Sequence, residues 1–190
     1  MGEPALPKLI AFLLVALMAA SPAIADDAAW DLLTAGGKSV LIRHARAPGV
    51  GDPPNFAIED CATQRNLSDD GRAQARRLGA LFAERGVRVD RVLSSRWCRS
   101  LETARLAFGA ERTEPFEPLD SFFAERSREA GQSAAVTNAI AAFRGPGVLV
   151  MVAHQVNITA LTGIVPRQGE ALVVTAGPNG PQVAGRIAFD

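Results

Sequence analysis

The run Val148-Leu149-Val150-Met151-Val152-Ala153 constrains the fold of this chain more than any other stretch. Side chains alternate between the two faces of a strand, so a run that is apolar at every position must be covered on both sides. It therefore belongs at the centre of a sheet that carries helices on both faces. Ser39 to Ile42 and Arg91 to Ser94 are shorter runs of the same kind. Helical segments lie between them. Ser68 is placed as an N-cap, with Asp69 and Asp70 in the first turn and Leu78, Leu81 and Phe82 on one face, and Gly86 stops that helix. A second helix is expected from Cys98 to Phe108, stopped by Gly109, and a third from Ser127 to Phe143, broken by Gly145-Pro146-Gly147. Trp30 to Thr34 reads as a short helix or turn, and Ala47 to Asn55 and the Pro115–Pro118 stretch as loops. Ala171 to Thr175 and Val183 to Phe189 read as a closing hairpin. Strands alternating with helices predict an α/β, three-layer sandwich with a mostly parallel central sheet. In such folds ligands bind beyond the carboxyl ends of the strands.

The first residues do not belong to that pattern. Lys8 precedes the apolar run Leu9 to Ala20, Ser21-Pro22 breaks it, and Ala23-Ile24-Ala25 has the form of a cleavage site. Residues 1–25 therefore read as a secretory signal peptide, since the run is shorter than the roughly 20 residues that span a bilayer. Residues 26–190 then form a single domain that is periplasmic or secreted, with no stable membrane insertion after cleavage. Lys and Arg together number 20, as do Asp and Glu, with no basic tract. That balance argues against nucleic acid and membrane surfaces as partners. An even pair of cysteines in an exported chain, Cys61 and Cys98, suggests a disulfide worth roughly 4 kcal/mol in the chain-entropy model. A metal pair is the rival reading, and it lacks nearby His or clustered carboxylates.

The chain has two histidines, and each follows an apolar strand. His44 follows Val40-Leu41-Ile42-Arg43, and His154 follows Val150-Met151-Val152-Ala153. The strand ending at Ser94 leads into Ser95-Arg96-Trp97-Cys98-Arg99. Polar residues thus converge where an α/β sheet places its site.

These residues resemble the histidine phosphatase superfamily, the phosphoglycerate mutase-like proteins. That family opens with Arg-His-Gly after its first strand, and this chain has Arg43-His44-Ala45. The family's Leu-Thr-x-x-Gly-x-x-Gln-Ala helix start corresponds to Leu67-Ser68-Asp69-Asp70-Gly71-Arg72-Ala73-Gln74-Ala75. Its Ser-Ser-x-x-x-Arg-x-x-x-Thr-Ala block corresponds to Ser94 through Ala104, and its late histidine to His154. The resemblance implies a phosphatase acting on a small phosphorylated substrate without metal or cofactor. It implies that His44 accepts the phosphoryl group and that Arg43, Arg99 and His154 bind it, His154 as a further cation if protonated. Arg65 is a weaker phosphate-binding candidate, with a surface arginine as the rival reading. The layout resembles small exported members acting on lipopolysaccharide sugar phosphates, and to a lesser extent phosphohistidine phosphatases.

Two departures stand out. Ala45 replaces the family's glycine, and a methyl there would narrow the approach of backbone to phosphate. The family's mid-chain glutamate aligns with Ser121, leaving Asp120 or Glu125 as the expected proton donor, or neither. A phosphate-binding protein without turnover is the alternative these departures motivate. The sequence leaves the oligomeric state open.

Overall fold

The computed structural model describes residues 22–189, with side chains from Asp27 onward. The leader expected over residues 1–25 falls almost wholly outside these residues. The first described element is helix α1, Pro22–Thr34, longer than the short helix or turn expected from Trp30 to Thr34. Its inward residues Ala29, Trp30 and Leu33 are all buried.

The sheet has six strands: β1 (Lys38–Arg43), β2 (Val89–Ser94), β3 (Thr113–Pro115), β4 (Val148–Ala153), β5 (Ala171–Gly177) and β6 (Gly180–Ile187), in the order β3-β2-β4-β1-β5-β6. β3, β2, β4 and β1 run parallel, and β5 and β6 add an antiparallel hairpin at one edge. Thr113–Pro115 is a short edge strand whose last residue opens the stretch expected as loop, and an edge tolerates Pro because one side of the ladder needs no donor. The apolar run at residues 148–153 is β4, buried at every residue and flanked by β1 and β2.

Period-2 alternation divides the core into two layers. Val40, Ile42, Val92, Val150, Val152 and Val173 pack with Trp30, Leu33, Leu78 and Phe82 of α1 and of α2 (Asp69–Glu84), and with Ala104 of α3 (Cys98–Phe108). Leu41, Leu93, Leu149, Met151 and Leu172 face the other way, onto Val136 and Ile140 of α4 (Glu129–Ala142) and Ile158 of α5 (Gln155–Thr162). Each such side chain contributes about 1.5–3 kcal/mol by full burial. The helix expected from Ser127 begins at Glu129, after a 3-10 turn over Arg126–Arg128.

The Ser68 side chain caps α2, accepting from the Gly71 N–H at 3.1 Å. Gly71 is required there, because a Cβ would lie 2.0 Å from the Arg46 carbonyl oxygen. The same helix supplies Gln74, whose Oε1 accepts from the Arg46 N–H at 3.0 Å. The segment after β1 is thereby seated on α2. Cys61 and Cys98 form a disulfide, which joins the 3-10 turn at Cys61–Thr63 to the first residue of α3.

Candidate active site

The register of the sheet brings the two histidines together. β1 and β4 are parallel neighbours with Arg43 opposite Ala153, so the next residue of each strand, His44 and His154, leaves the same edge side by side. The His44 N–H also donates to the Ala153 carbonyl at 3.0 Å. The two ring centroids lie 5.5 Å apart. β2 ends beside them, with Ser94 opposite Val152, and hands the chain to Ser95 and then to α3. Both rings are buried, His44 at 2% and His154 at 3% exposure. They line a cavity of about 590 Å³ with Arg43, Arg65, Arg99, Asp52 and Trp97.

The hydrogen bonds assign the tautomers. His44 Nδ1 lies 2.8 Å from the Ala45 carbonyl oxygen, which can only accept, so Nδ1 carries the hydrogen. Nε2 is left with its lone pair and accepts nothing from the described residues. Burial, followed by the charge of Arg99 and less strongly of Arg65 and Arg43, holds His44 well below its ordinary range, outweighing the opposing Ala45 hydrogen bond. A neutral ring with an available Nε2 is the form a nucleophile requires. The methyl of Ala45 packs with Ala47, Leu67 and Ala75, so the departure from glycine is absorbed in a small apolar cluster. The Ala45 N–H donates to Thr103 Oγ1 at 3.0 Å, and that hydroxyl donates to the Arg99 carbonyl at 2.7 Å.

His154 has the opposite arrangement. The Arg99 Nη2 group donates toward Nδ1 at 3.4 Å, which leaves the hydrogen on Nε2, and Nε2 donates to Ser95 Oγ at 2.8 Å. Ser95 Oγ in turn donates to Asp120 Oδ1 at 3.2 Å. Burial first, then Arg99, His44, Arg65 and Arg43, keep His154 well below its ordinary range. His154 is therefore a neutral, doubly engaged ring in the free protein, so the condition under which it would add a cation, protonation, is not met there.

Asp120 also departs from expectation. Its carboxylate is fully buried and does not line the cavity. It accepts from the Arg96 N–H at 2.8 Å and from Arg96 Nε at 2.7 Å, with Nη2 at 2.6 Å. A carboxylate so occupied holds Ser95 and, through it, His154, and has no path to a leaving group. Ser121 and Glu125 do line the cavity, Glu125 at its exposed rim. Arg96 turns away from the cavity toward Asp120.

Five arginines line the cavity, and Arg43, Arg65 and Arg99, the three that flank the histidines, differ in their engagement. Arg43 Nη1 donates to the Pro166 carbonyl at 2.8 Å, and its buried Nε has no partner. Arg65 donates to the Gly51 carbonyl at 2.8 Å and the Ala47 carbonyl at 2.5 Å. Burial and the neighbouring Arg99 and Arg43 charges lower it to about 10, with Asp52 opposing, so it is charged at neutral pH. Arg99 is 3% exposed, and its Nε is also buried without a partner. Its forked end grips Asp52, Nη1 to Oδ1 at 2.7 Å and Nη2 to Oδ2 at 3.2 Å.

Asp52, Trp97 and Phe56 are site residues that the sequence did not reveal. Asp52 sits in a Gly- and Pro-rich stretch that reads as an ordinary turn. Trp97 stacks on Phe56 with ring centroids 5.0 Å apart, presents its edge to His154 and donates through Nε1 to Asp52 Oδ2 at 3.0 Å. Around the two rings, Arg43, Arg65 and Arg99 against Asp52 leave two net positive charges, and Arg126, Arg128 and Glu125 add further charges to the lining. Among the described residues no group of three or more His, Cys, Asp or Glu is placed to hold a metal ion.

Of the paired strand-end histidines and the arginine-lined cavity, His44, Arg43, Arg65 and Arg99 lie in the part of the chain where a family resemblance is found. Residues 40–126 match the family model described as Histidine phosphatase superfamily (branch 1). That match covers a little under half of the chain and supports reading it as similar to phosphatase enzymes of this superfamily. A comparison with curated protein sequences finds no match. Among solved structures, the protein histidine phosphatase SixA complexed with tungstate is 16% identical, with a TM-score of 0.54 over 80% of this chain and 96% of that one. Mycobacterial glucosyl-3-phosphoglycerate phosphatase with VO3 is 15% identical, TM-score 0.55, over 80% and 98%. Phosphoserine phosphatase from Entamoeba histolytica with 3-phosphoglyceric acid is 13% identical, TM-score 0.56, over 80% and 96%. At these identities the likeness is one of fold.

Proposed function

We propose that this protein hydrolyses phosphomonoesters through a phosphohistidine intermediate on Nε2 of His44. The observation that carries the reading is a neutral histidine, its free nitrogen fixed by the Ala45 carbonyl, with two net positive charges around the rings. That charge matches a phosphomonoester dianion. The arginines would hold the equatorial oxygens while His44 attacks in line, and water would then displace the phosphoryl group from nitrogen. The substrate we favour is a sugar phosphate of the cell envelope, met after export to the periplasm or beyond. The leader-like residues 1–25 and the Cys61–Cys98 disulfide support export, since disulfides persist in oxidising compartments.

The test is phosphate release from p-nitrophenyl phosphate and a panel of sugar phosphates, with trapping of acid-labile phosphate on the protein. Trapping that is lost in His44→Ala supports the reading. Binding of phosphate with no trapped intermediate would instead make the protein a phosphate binder, and turnover confined to phosphohistidine peptides would make it a protein phosphatase. Cell fractionation with N-terminal sequencing tests export, with Asp26 as the expected first residue.

A further inference from the structure

The cavity lacks an evident proton donor, because Asp120 is sealed beneath it. Two carboxylates line the cavity, Asp52 on the floor and Glu125 at the rim. Asp52 has an unusual set of partners. It accepts from the Arg65 backbone N–H at 3.1 Å and from Trp97 Nε1, neither of which a phosphate group needs, and from Arg99, which a phosphate group does need. Its carboxylate occupies the forked end of the one guanidinium that also reaches His154, where a phosphoryl oxygen pair would otherwise sit.

The geometry points to Asp52 as the leaving-group acid of this site: it yields Arg99 to the incoming phosphoryl group and then protonates the departing oxygen. This rests on the phosphatase reading above. Burial alone would raise the Asp52 carboxyl, but the Arg99 hydrogen bonds and charge, then the Arg65 amide and the Trp97 indole, outweigh it and hold it below its ordinary value in the free protein. Once phosphoryl oxygens take the Arg99 N–H groups, the strongest of those opposing influences is shared with a new anion and burial remains. Proton uptake by Asp52 is then favoured. The Arg65 N–H and Trp97 Nε1 keep the carboxyl in the cavity lining that it shares with Arg43, His44 and His154.

In the first step the His44 Nε2 lone pair forms the N–P bond and the P–O bond to the leaving group breaks. Its electron pair takes the proton of the Asp52 carboxyl, releasing an alcohol. In the second step the Asp52 carboxylate takes a proton from water as its oxygen bonds to phosphorus, and the N–P pair returns to Nε2. Inorganic phosphate leaves, Asp52 releases its proton to solvent, and its carboxylate returns to Arg99.

The experiment compares kcat/KM for p-nitrophenyl phosphate, phenyl phosphate and 2-phenylethyl phosphate in wild type, Asp52→Asn, Asp52→Ser and Glu125→Gln, with inhibition by inorganic phosphate. An acid matters most when the leaving group is poor, and general acids contribute about 10²–10⁴-fold. In both Asp52 variants the preference for p-nitrophenyl over 2-phenylethyl phosphate should rise by about 100-fold. Inorganic phosphate should bind at least as tightly, its competitor for Arg99 having gone. Glu125→Gln should leave the preference near the wild-type value. An equal loss for all three esters, with weaker phosphate binding, would make Asp52 an anchor for Arg99 and overturn the assignment. A shifted preference in Glu125→Gln alone would overturn it in favour of Glu125. His44→Ala serves as the separate control: if it retains turnover, the phosphohistidine reading fails whatever Asp52 does.

Discussion

The ends of β1 and β4 carry the same residue in nearly the same burial, beside the same arginines, yet prepare it for different work. At the end of β1, His44 gives its hydrogen to a backbone carbonyl and keeps a bare nitrogen toward the cavity. At the end of β4, His154 has both nitrogens engaged, one by Arg99 and one by the Ser95–Asp120 chain. The electrostatic surroundings barely distinguish the rings, since burial and Arg99 are the two largest influences lowering both. In the function proposed above, hydrogen-bond direction is what would separate the nucleophile from its fixed neighbour.

The largest effect that would break this comparison comes from His44→Ala, expected to lower kcat/KM by at least about 10⁴-fold and abolish trapped acid-labile phosphate. If His154→Ala removed the trapped phosphate while His44→Ala kept it, the two roles would have to be exchanged. His154→Ala itself should lower kcat by about 10²-fold while the phosphorylated protein still forms, as rapid-quench labelling would show.

A smaller effect sharpens the β4 side. Asp120→Asn weakens the hold on Arg96 and Ser95, and through Ser95 on His154. We expect it to lower kcat by about 10-fold for good and poor leaving groups alike, and stability by about 1–3 kcal/mol by denaturant titration. That leaving-group independence sets it apart from Asp52. Removing the disulfide with the paired change Cys61→Ser and Cys98→Ser should cost about 2–4 kcal/mol of stability and raise KM several-fold. The bridge ties the segment bearing Arg65 to the helix bearing Arg99.

The smallest effect is a pH dependence shared by the two rings. Each folded histidine sits below its ordinary value, so between the folded value and about 6.5 the unfolded chain binds more protons. Stability is thus fully present above about pH 6.5 and declines as pH falls below it, with a limiting slope near 1.4 kcal/mol per pH unit for each ring. His44→Gln should remove about half of that slope in urea melts at pH 5 to 7. An unchanged slope would mean that His44 is protonated in the folded state, and it would remove the basis for its nucleophilic role.

Much of this was legible in the residues. The unbroken apolar run at 148–153 placed β4 at the sheet centre, and Cys98 to Phe108 matched α3 because Gly109 stops it. Ser68 capped α2 as its type and spacing predicted. Elements whose identity depends on a neighbour were less legible. β3 contains Pro115 and is a strand because β2 lies beside it. α1 as a whole carries only a weak helical period of its own.

The same division runs through the site. Sequence by itself determined that His44, His154, Arg43 and Arg99 stand near strand ends, because strand periodicity and chain order place them there. Only the tertiary structure decided which nitrogen of each ring is free, that Asp120 lies beneath the cavity against Arg96, and that Asp52 closes on Arg99. Those outcomes depend on contacts between segments remote in sequence: Asp52 meets Arg99 across a separation of 47 and Asp120 meets Arg96 across 24. A local pattern specifies which face or end of an element a residue occupies. The partner that fixes its proton comes from whichever other element the fold brings alongside.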